Sequence, residues 1–368
     1  MAVVIDGNTG IDKVQDGSIG TADLAASAVT AAKLDVGQIG GRRNLIINGD
    51  MQVAQRDTSS TSDGYATVDR FTTDIFNGTA TMSQEDLSSG SPYDLGFRKF
   101  FRMTNTTGNS GTDTRRRFYQ VIESQNLANS GWNNASSTSY ITISFWVRSS
   151  LAGDYYFYLQ SRKNTNYTYI WKETLSANTW TKVTKTVGGD SNADIGNDNG
   201  DGMRLVFNAY HGTDFTGSVS LDQWLAFDNL VRYPDDTNGW GTTNGATYDV
   251  TGVQLEVGDT ATPFEHRSYG EELSLCQRYY QIVVNNTFRE YIYNVHRHPI
   301  PLRVSMRTAP TITVNHDGSA GPTTGVDTGY FTTDSGTVAV STIATGNAPG
   351  ATAMVDIANL DIFADAEV

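Results

Sequence analysis

The chain has 368 residues, of which 38% are hydrophobic and 18% are charged, and its formal net charge is −14. This apolar share is enough for a folded core, so wholesale disorder is excluded. The acidic balance argues against nucleic acid and anionic membranes as partners, because both are bound through basic surfaces. The single cysteine, Cys276, excludes an intrachain disulfide and a cysteine-rich zinc site. No apolar stretch approaches the roughly 18 residues of a transmembrane helix, so membrane insertion is not expected.

Residues 1–42 carry a five-residue apolar repeat. Its members are Val14, Ile19, Leu24, Val29, Leu34 and Ile39, and a small residue stands two places before most of them. A period of five fits neither an α-helix nor a flat strand, whereas it fits a spiralling segment that turns every fifth side chain inward. Six units are too few to bury that face alone, so we predict a stalk that partner chains complete. An alanine-rich helical linker is the alternative.

Residues 43–270 are predicted to form an all-β domain. Apolar residues alternate with polar or aromatic ones over 141–147, which is typical of a half-buried strand. Two aromatic-rich segments, Tyr155–Gln160 and Tyr167–Trp171, have the same character. Asn-Gly pairs such as Asn77-Gly78 indicate hairpins and turns between the strands. Short strands at this spacing predict a β-sandwich.

A domain boundary is predicted at residue 270. Ser268 and Glu271 form a capping box, which predicts a short helix of roughly Tyr269–Tyr280. The remaining residues, 271–368, are again rich in β-forming residues, and we predict a C-terminal β-sandwich-like domain. Between His316 and Thr337 the chain is nearly free of aliphatic residues, which predicts loops.

Three segments resemble a known family. They are RNLIINGDMQVAQR at 43–56, YATVDRF at 65–71, and TGVQLEVGDTATPFEHR at 251–267, which runs into YGEELSLCQRYY at 269–280. Over about residues 43–281 they resemble a domain of bacteriophage tail-fibre proteins. The resemblance implies an elongated, homotrimeric virion protein. Its N-terminus would bind a phage tail or baseplate protein, and its other end would contact the host surface.

The same resemblance implies a central jelly roll, because such domains are similar to the sandwiches of carbohydrate-binding modules. In those modules an opening Asn-Gly-Asp-Phe-Glu and an acidic residue of the last strand often hold a structural calcium. Here Met51-Gln52 stands in place of Phe-Glu, and Thr251-Gly252 in place of the acidic pair. These departures count against calcium, and no cofactor is expected.

Aromatic side chains are the first candidates for ligand contacts, because their rings pack on apolar faces such as those of sugars. Trp146, Tyr156 and Tyr158 lie on neighbouring predicted strands. The alternative is that these rings line a sheet face covered by another chain or domain. Trp240 lies in a polar loop over 234–241, where an aromatic has little core to join, so it is a further candidate contact.

The predicted receptor contact lies in the C-terminal domain, which the stalk would hold farthest from the tail. The large apolar pair there is Tyr330-Phe331, flanked by Asp327 and Asp334. An exposed aromatic pair with hydrogen-bonding neighbours suits a sugar face or a protein pocket. The alternative is a strand in which Phe331 is core and Tyr330 lies at its rim.

Metal binding and catalysis have weaker signals. His296 and His298 lie on one face of a strand and would offer six nitrogens in a trimer, but a solvated pair is the favoured interpretation. The Asp- and Asn-rich stretch 190–201 lacks the EF-hand spacing, so a turn that caps its own backbone is predicted. No catalytic motif is recognisable. Cys276 is predicted to be packed rather than nucleophilic.

The sequence therefore predicts a non-enzymatic tail-fibre adhesin that recognises a host-surface glycan or protein. Its expected place is the tail of the virion, after assembly in the host cytoplasm. A purely structural fibre or adaptor segment between other virion proteins is the alternative. A polysaccharide depolymerase is the third hypothesis, because the chain has carboxylates enough for a glycosidase pair.

Overall fold

The computed structural model describes residues 42–292, 296–317, 324–331, 335–342 and 353–367. Strands dominate these ranges, and the helices are short, which confirms the all-β prediction. The predicted stalk lies outside the described residues, apart from its last residue.

The strands are β1 (Ser59–Ser60), β2 (Phe71–Phe76), β3 (Thr79–Asp86), β4 (Lys99–Thr107), β5 (Arg115–Glu123), β6 (Tyr140–Ser149), β7 (Gly153–Ser161), β8 (Tyr167–Leu175), β9 (Thr181–Gly188), β10 (Asp201–His211), β11 (Trp224–Ala226), β12 (Thr247–Val257), β13 (Tyr280–Ile292), β14 (His296–Pro301), β15 (Thr311–Asp317), β16 (Thr324–Phe331), β17 (Ser335–Thr342) and β18 (Ala353–Asp365). The helices are α1 (Ser91–Asp94), α2 (Ser124–Ala128) and α3 (Tyr269–Gln277).

Two six-stranded antiparallel sheets form the predicted sandwich. The first sheet has the order β1-β3-β4-β12-β6-β9, and the second has the order β11-β8-β7-β10-β5-β2. Their inner faces meet in a core rich in aromatic rings, where Phe118 and Phe207 stack at 4.8 Å and Phe145 meets Phe207 edge-on at 5.0 Å. The alternation over 141–147 buries its apolar residues in this core, as predicted.

The turn at Asn77-Gly78 joins the two sheets. Both residues have positive φ, at 51° and 105°, as this dipeptide favours. Yet β2 pairs with β5 in the second sheet and β3 pairs with β4 in the first, so the turn closes no hairpin. A Cβ at Gly78 would lie 2.5 Å from the carbonyl oxygen of Thr107, so the crossing needs glycine.

Residues 212–221 and Tyr233, together the covering segment, lie over the outer face of the second sheet. Tyr233 stacks on Tyr156 with 4.9 Å between ring centroids, and the apolar cluster here includes Tyr158, Val219 and Leu221. Both faces of this sheet are therefore covered by apolar groups. Strands buried on both faces carry large apolar or aromatic residues at successive positions, instead of alternating with polar ones.

Helix α3 begins at the predicted cap, where the Ser268 hydroxyl accepts a hydrogen bond from the Glu271 amide at 3.3 Å. It ends at Gln277, earlier than predicted, because Tyr280 already begins β13. Cys276 is buried against the opening segment of the sandwich, and burial raises the pKa of its thiol well above the ordinary value. No helix in the described ranges is long and apolar enough to cross a membrane.

The C-terminal segment forms two three-stranded sheets, with the orders β13-β18-β15 and β14-β17-β16. Its last residues bind the sandwich: Arg56 pairs with Asp365 at 2.9 Å, and the buried Arg70 pairs with Glu367. The predicted loops between His316 and Thr337 are wrong in part, because Thr324–Phe331 is a strand paired with β17. Backbone hydrogen bonds to β17 hold this polar stretch in a strand, although its composition predicts a loop.

Candidate functional site

A cleft of about 430 Å³ lies on the outer face of the first sheet. Its floor comes from β6, β9 and β12, and its walls come from residues 95–97 and 261–266. The lining residues are Leu95, Phe97, Ser144, Phe145, Trp146, Lys182, Gly252, Ala261, Thr262, Pro263, Phe264 and His266. Aromatic rings with a few short polar groups are the usual composition of a small-ligand site.

Aromatic rings form one wall of the cleft. Phe97 meets Phe264 edge-on at 4.8 Å, and His266 lies 5.2 Å from Phe97. The backbone beside them is bulged, because β12 shifts register between Thr251 and Gln254. Gly252 sits in this bulge at φ 63°, and a Cβ there would lie 2.7 Å from the Phe97 ring. The bulge and its glycine therefore set how closely the ring approaches the sheet.

A charged group continues the same sheet face beyond the cleft. The fully buried carboxylate of Asp249 accepts hydrogen bonds from Arg102, at 2.7 and 2.9 Å, and from Arg148 on the opposite side. Asp249 is register-paired with both arginines, one on β4 and one on β6. The Arg148 guanidinium also lies 4.6 Å from the ring of Trp180. Two guanidiniums share this carboxylate, and the Glu85 carboxylate also acts electrostatically on Arg102.

Lys182 is the cation of the cleft itself. The other lysines of residues 42–283, namely Lys99, Lys163, Lys172 and Lys185, all form ion pairs. Lys182 has no such partner among the described residues, and its side chain is exposed. It lies directly opposite Trp146 in the β6–β9 ladder. An unpaired ammonium group therefore stands beside an aromatic ring at the cleft floor.

Of the sequence-predicted aromatic candidates, Trp146 lines this cleft. Tyr156 and Tyr158 do not accompany it, because they lie on the second sheet under the covering segment. Both are buried, and the Tyr158 hydroxyl accepts a hydrogen bond from Arg117 at 2.6 Å. Tyr156 and Tyr158 are therefore not exposed as candidate contacts, and the alternative of a covered sheet face holds for them. A segment of the chain itself, rather than a partner, covers the two tyrosines.

The expectation of an exposed Trp240 is also wrong. Its side chain is fully buried in the core between the sheets, within a 3-10 turn at Trp240–Thr242. The Asn105 amide holds this turn, donating to the carbonyl oxygens of Trp240 and Gly241 at 3.1 Å each. The indole Nε1 has no hydrogen-bond partner. The loop is polar, but it folds back so that its one large ring can join the core.

The predicted contacts of the C-terminal domain are placed only in part. Asp327, Tyr330 and Phe331 belong to β16. Their backbone therefore forms the strand that is the alternative to an exposed loop in the sequence-based prediction. Asp334 lies outside the described residues. His296 and His298 belong to β14, where they pair with Val340 and Val338 of β17. The receptor contact and the histidine metal site both remain predictions.

The loop after β9 behaves as the sequence predicts. Asp190, Asp194 and Asp198 each accept a hydrogen bond from a backbone amide two residues on, at 2.8 to 3.0 Å. Among the described residues no three His, Cys, Asp or Glu side chains converge as a metal site would need.

The structural calcium that the resemblance implies would lie at the opening segment, around Asp50. Asp50 accepts a hydrogen bond from Gln52 at 2.7 Å, and its other oxygen is buried without a partner. Nearby, the Arg267 guanidinium donates to the Asn44 carbonyl at 2.5 Å and to the Glu265 carboxylate at 2.7 Å. Calcium takes six to eight oxygens, and here a guanidinium already binds the neighbouring ones. The residues present therefore do not fit calcium.

A buried titratable group, Asp236, lies three residues after the covering segment. The Asp236 carboxylate accepts hydrogen bonds from the His211 amide at 2.7 Å and the Tyr233 hydroxyl at 2.9 Å. Burial raises the pKa of Asp236 to about 7 and lowers the pKa of His211 well below its ordinary value. The His211 ring stacks on Tyr233 at 5.1 Å. Burial accounts for these pKa shifts without a reacting centre.

Sequence reasoning missed most of the cleft. Lys182 in the cleft, and Trp180 and Asp249 beside it, were not among the candidates, although Trp180 immediately precedes the strand that begins at Thr181 and stands two residues before Lys182. That spacing puts both on one face, and it was the available signal. Phe264 belongs to a recognisable motif, but nothing in the motif shows that it faces Trp146.

No protein-family model matches the chain, and no curated protein matches it. Similar solved structures include the enzymatically active domain of tailspike protein 4 of bacteriophage CBA120. It is 11% identical, with a TM-score of 0.33 over 58% of this chain and 21% of the tailspike chain. This chain therefore spans only a small part of that tailspike.

Two further similar structures are named for sugar binding. A putative sugar-binding protein from Bacteroides thetaiotaomicron VPI-5482 is 13% identical, with a TM-score of 0.32 over 58% of this chain and 100% of its own. A family 11 carbohydrate-binding module from Clostridium thermocellum, in complex with a β-1,3-1,4-mixed-linked tetrasaccharide, is 12% identical. Its TM-score is 0.28, over 56% of this chain and 98% of the module. At TM-scores this low, the structural neighbours assign neither a family nor a ligand to this chain.

Proposed function

We propose that this chain is a bacteriophage tail-fibre adhesin that binds a host-surface glycan in the cleft of the first sheet and does not cleave it. The observation that carries the proposal is the cleft floor, where Trp146 presents a ring beside Ser144 and Lys182. A pyranose has an apolar face for such a ring and hydroxyls for the polar groups around it.

The lining of the cleft supports binding rather than hydrolysis. Glycoside cleavage ordinarily uses two carboxylates on either side of the bond. None of the residues that line the cleft in the described part of the chain is Asp or Glu. The buried Asp249 is already bound by two arginines.

The virion context rests on the sequence. The tail-fibre-like motifs over 43–281 and the apolar repeat over 14–39 favour a trimeric fibre whose N-terminal stalk binds the tail. Removal of residues 1–42 should leave the sandwich folded while light scattering at micromolar concentration shows loss of the trimer. A monomeric full-length protein would contradict this part of the proposal.

The test of the cleft is Trp146→Ala, with Tyr140→Ala as the matched control. Tyr140 is an exposed aromatic on the same strand, and it does not line the cleft. We expect Trp146→Ala to lose about tenfold or more in adsorption to host cells. The stacking of a planar nucleic-acid base on an aromatic side chain contributes about 1–3 kcal/mol, and we take a sugar ring stacked on the indole to contribute a similar amount. Tyr140→Ala should adsorb normally.

Normal adsorption by a folded Trp146→Ala variant would place the receptor site elsewhere. Release of reducing ends from host polysaccharide by the wild-type protein would contradict the non-enzymatic part and favour a depolymerase.

A further inference from the structure

The charges of the cleft differ from those of the whole chain. The chain has 40 Asp and Glu residues against 26 Lys and Arg residues. The titratable residues that line the cleft are Lys182 and His266; the Asp50 carboxylate interacts with His266, so Lys182 is the cation of the cleft that has no ion-pair partner among the described residues. A ligand site with this lining, in so acidic a protein, indicates that the ligand brings negative charge.

We propose that the glycan bound in this cleft is anionic, with a carboxylate on the sugar ring, as in a polymer of uronic acids. This inference rests on the proposed function and adds the ligand class. Lys182 and Trp146 are opposite each other in the ladder, so their Cβ atoms are about 4.5–5.5 Å apart. A sugar ring stacked on the indole therefore has its ring substituents within reach of the ammonium group.

The neighbouring charges favour the same ligand. Arg148 follows Trp146 by two residues and lies on the same sheet face, so a second cation extends the site along the strand. Its carboxylate partner, Asp249, is fully buried and is shared with Arg102. A chain of uronate units running along β6 would meet Lys182 first and the Arg148 guanidinium next.

The protein's overall charge does not oppose such binding at physiological salt. The Debye length is about 8 Å at 0.15 M, so distant carboxylates are screened and the groups within the cleft dominate. Lys182 also loses little on binding, since it gives up no ion pair among the described residues. The carboxylate-bearing glycan replaces water at an ammonium group that has no other partner.

The experiment measures binding of three probes to the full-length protein by calorimetry. The probes are an oligogalacturonate, a neutral β-glucan oligosaccharide of the same length, and an oligomer of glutamate. We expect the oligogalacturonate to bind about tenfold more tightly than the neutral sugar at 50 mM salt, as one charge-assisted hydrogen bond provides. The advantage should shrink as salt rises.

Two variants separate local from overall charge. Lys182→Gln should lower the affinity for oligogalacturonate about tenfold, and more than it lowers the affinity for the neutral sugar. Lys172→Gln removes the same charge from the second sheet, where Lys172 pairs with Asp154 at 2.9 Å, and should leave the affinity unchanged. Equal losses in both variants would overturn the assignment to the cleft.

Each of the remaining outcomes would overturn one part of this inference. Equal or tighter binding of the neutral sugar overturns the anionic ligand, whereas the proposed function stands if Trp146→Ala still lowers adsorption by about tenfold or more. Equal binding of the glutamate oligomer overturns the sugar and favours an acidic peptide. Failure of both sugars to bind overturns this inference, and the adsorption measurement alone then decides the proposed function.

Discussion

Asp249 is the residue whose removal should disturb the sandwich most directly at the candidate site. Its side chain is 0% exposed, while those of Arg102 and Arg148 are 28% and 25% exposed. Asp249→Ala would leave two guanidiniums facing each other without a carboxylate. Removing one partner of a buried ion pair costs about 3–5 kcal/mol. Because water reaches both arginines, we expect the lower end, about 3 kcal/mol, which corresponds to about 6–12 °C in melting temperature.

The assay is urea unfolding together with scanning calorimetry. Asp86→Asn is the matched control, because Asp86 pairs with Lys99 at 2.7 Å on the same sheet but is 84% exposed. Exposed pairs contribute about 0.2–1 kcal/mol, so this variant should melt close to the wild type. If Asp249→Ala loses no more stability than Asp86→Asn, the arginine pair does not depend on the buried carboxylate and the reasoning is wrong.

Two further predictions concern the buried groups that lie away from the cleft. Trp240→Ala should cost about 3–5 kcal/mol in urea unfolding, because it leaves a cavity in the core. Trp240→Phe should cost less than half of that, because it keeps most of the buried ring and removes an N–H that has no partner; equal costs of the two variants would contradict this reasoning. Asp236 has a folded-state pKa of about 7, above its unfolded value, so its contribution to stability is complete below about pH 4 and is lost as pH rises through 7. Asp236→Asn imitates the protonated form, so its melting temperature should exceed that of the wild type at pH 8 and approach it at pH 4; a constant difference would refute the assignment.

The sequence by itself determined the kinds of local structure. Alternation over 141–147 predicts a strand and says which of its residues share a face, because successive side chains point to opposite sides. The Ser268 hydroxyl predicts the start of α3, because a helix leaves its first amides without partners and a short side chain can accept from one. The Asp-rich loop after β9 was predictable for the same reason, since Asp side chains bond amides two residues on.

What covers each face was decided by the tertiary structure. From alternation alone, Trp146 and Tyr156 are both expected on the outward faces of their strands, and nothing in the pattern distinguishes them. The covering segment lies over Tyr156, whereas the cleft leaves Trp146 within reach of a ligand. Likewise the polar surroundings of Trp240 predict exposure, but its ring reaches the core because Asn105 bonds the turn back onto the sandwich.

The cleft itself depends on contacts between segments far apart in the chain. Its walls come from residues 95–97 and 261–266, and its floor from three strands that neighbour one another only in the sheet order. The Asn77-Gly78 turn shows the same limit, since the dipeptide sets two positive φ angles but not which sheet the next strand joins. Local sequence sets dihedral preferences and the period of burial. Which distant surfaces meet depends on how all the apolar faces are buried together, and no single segment carries that information.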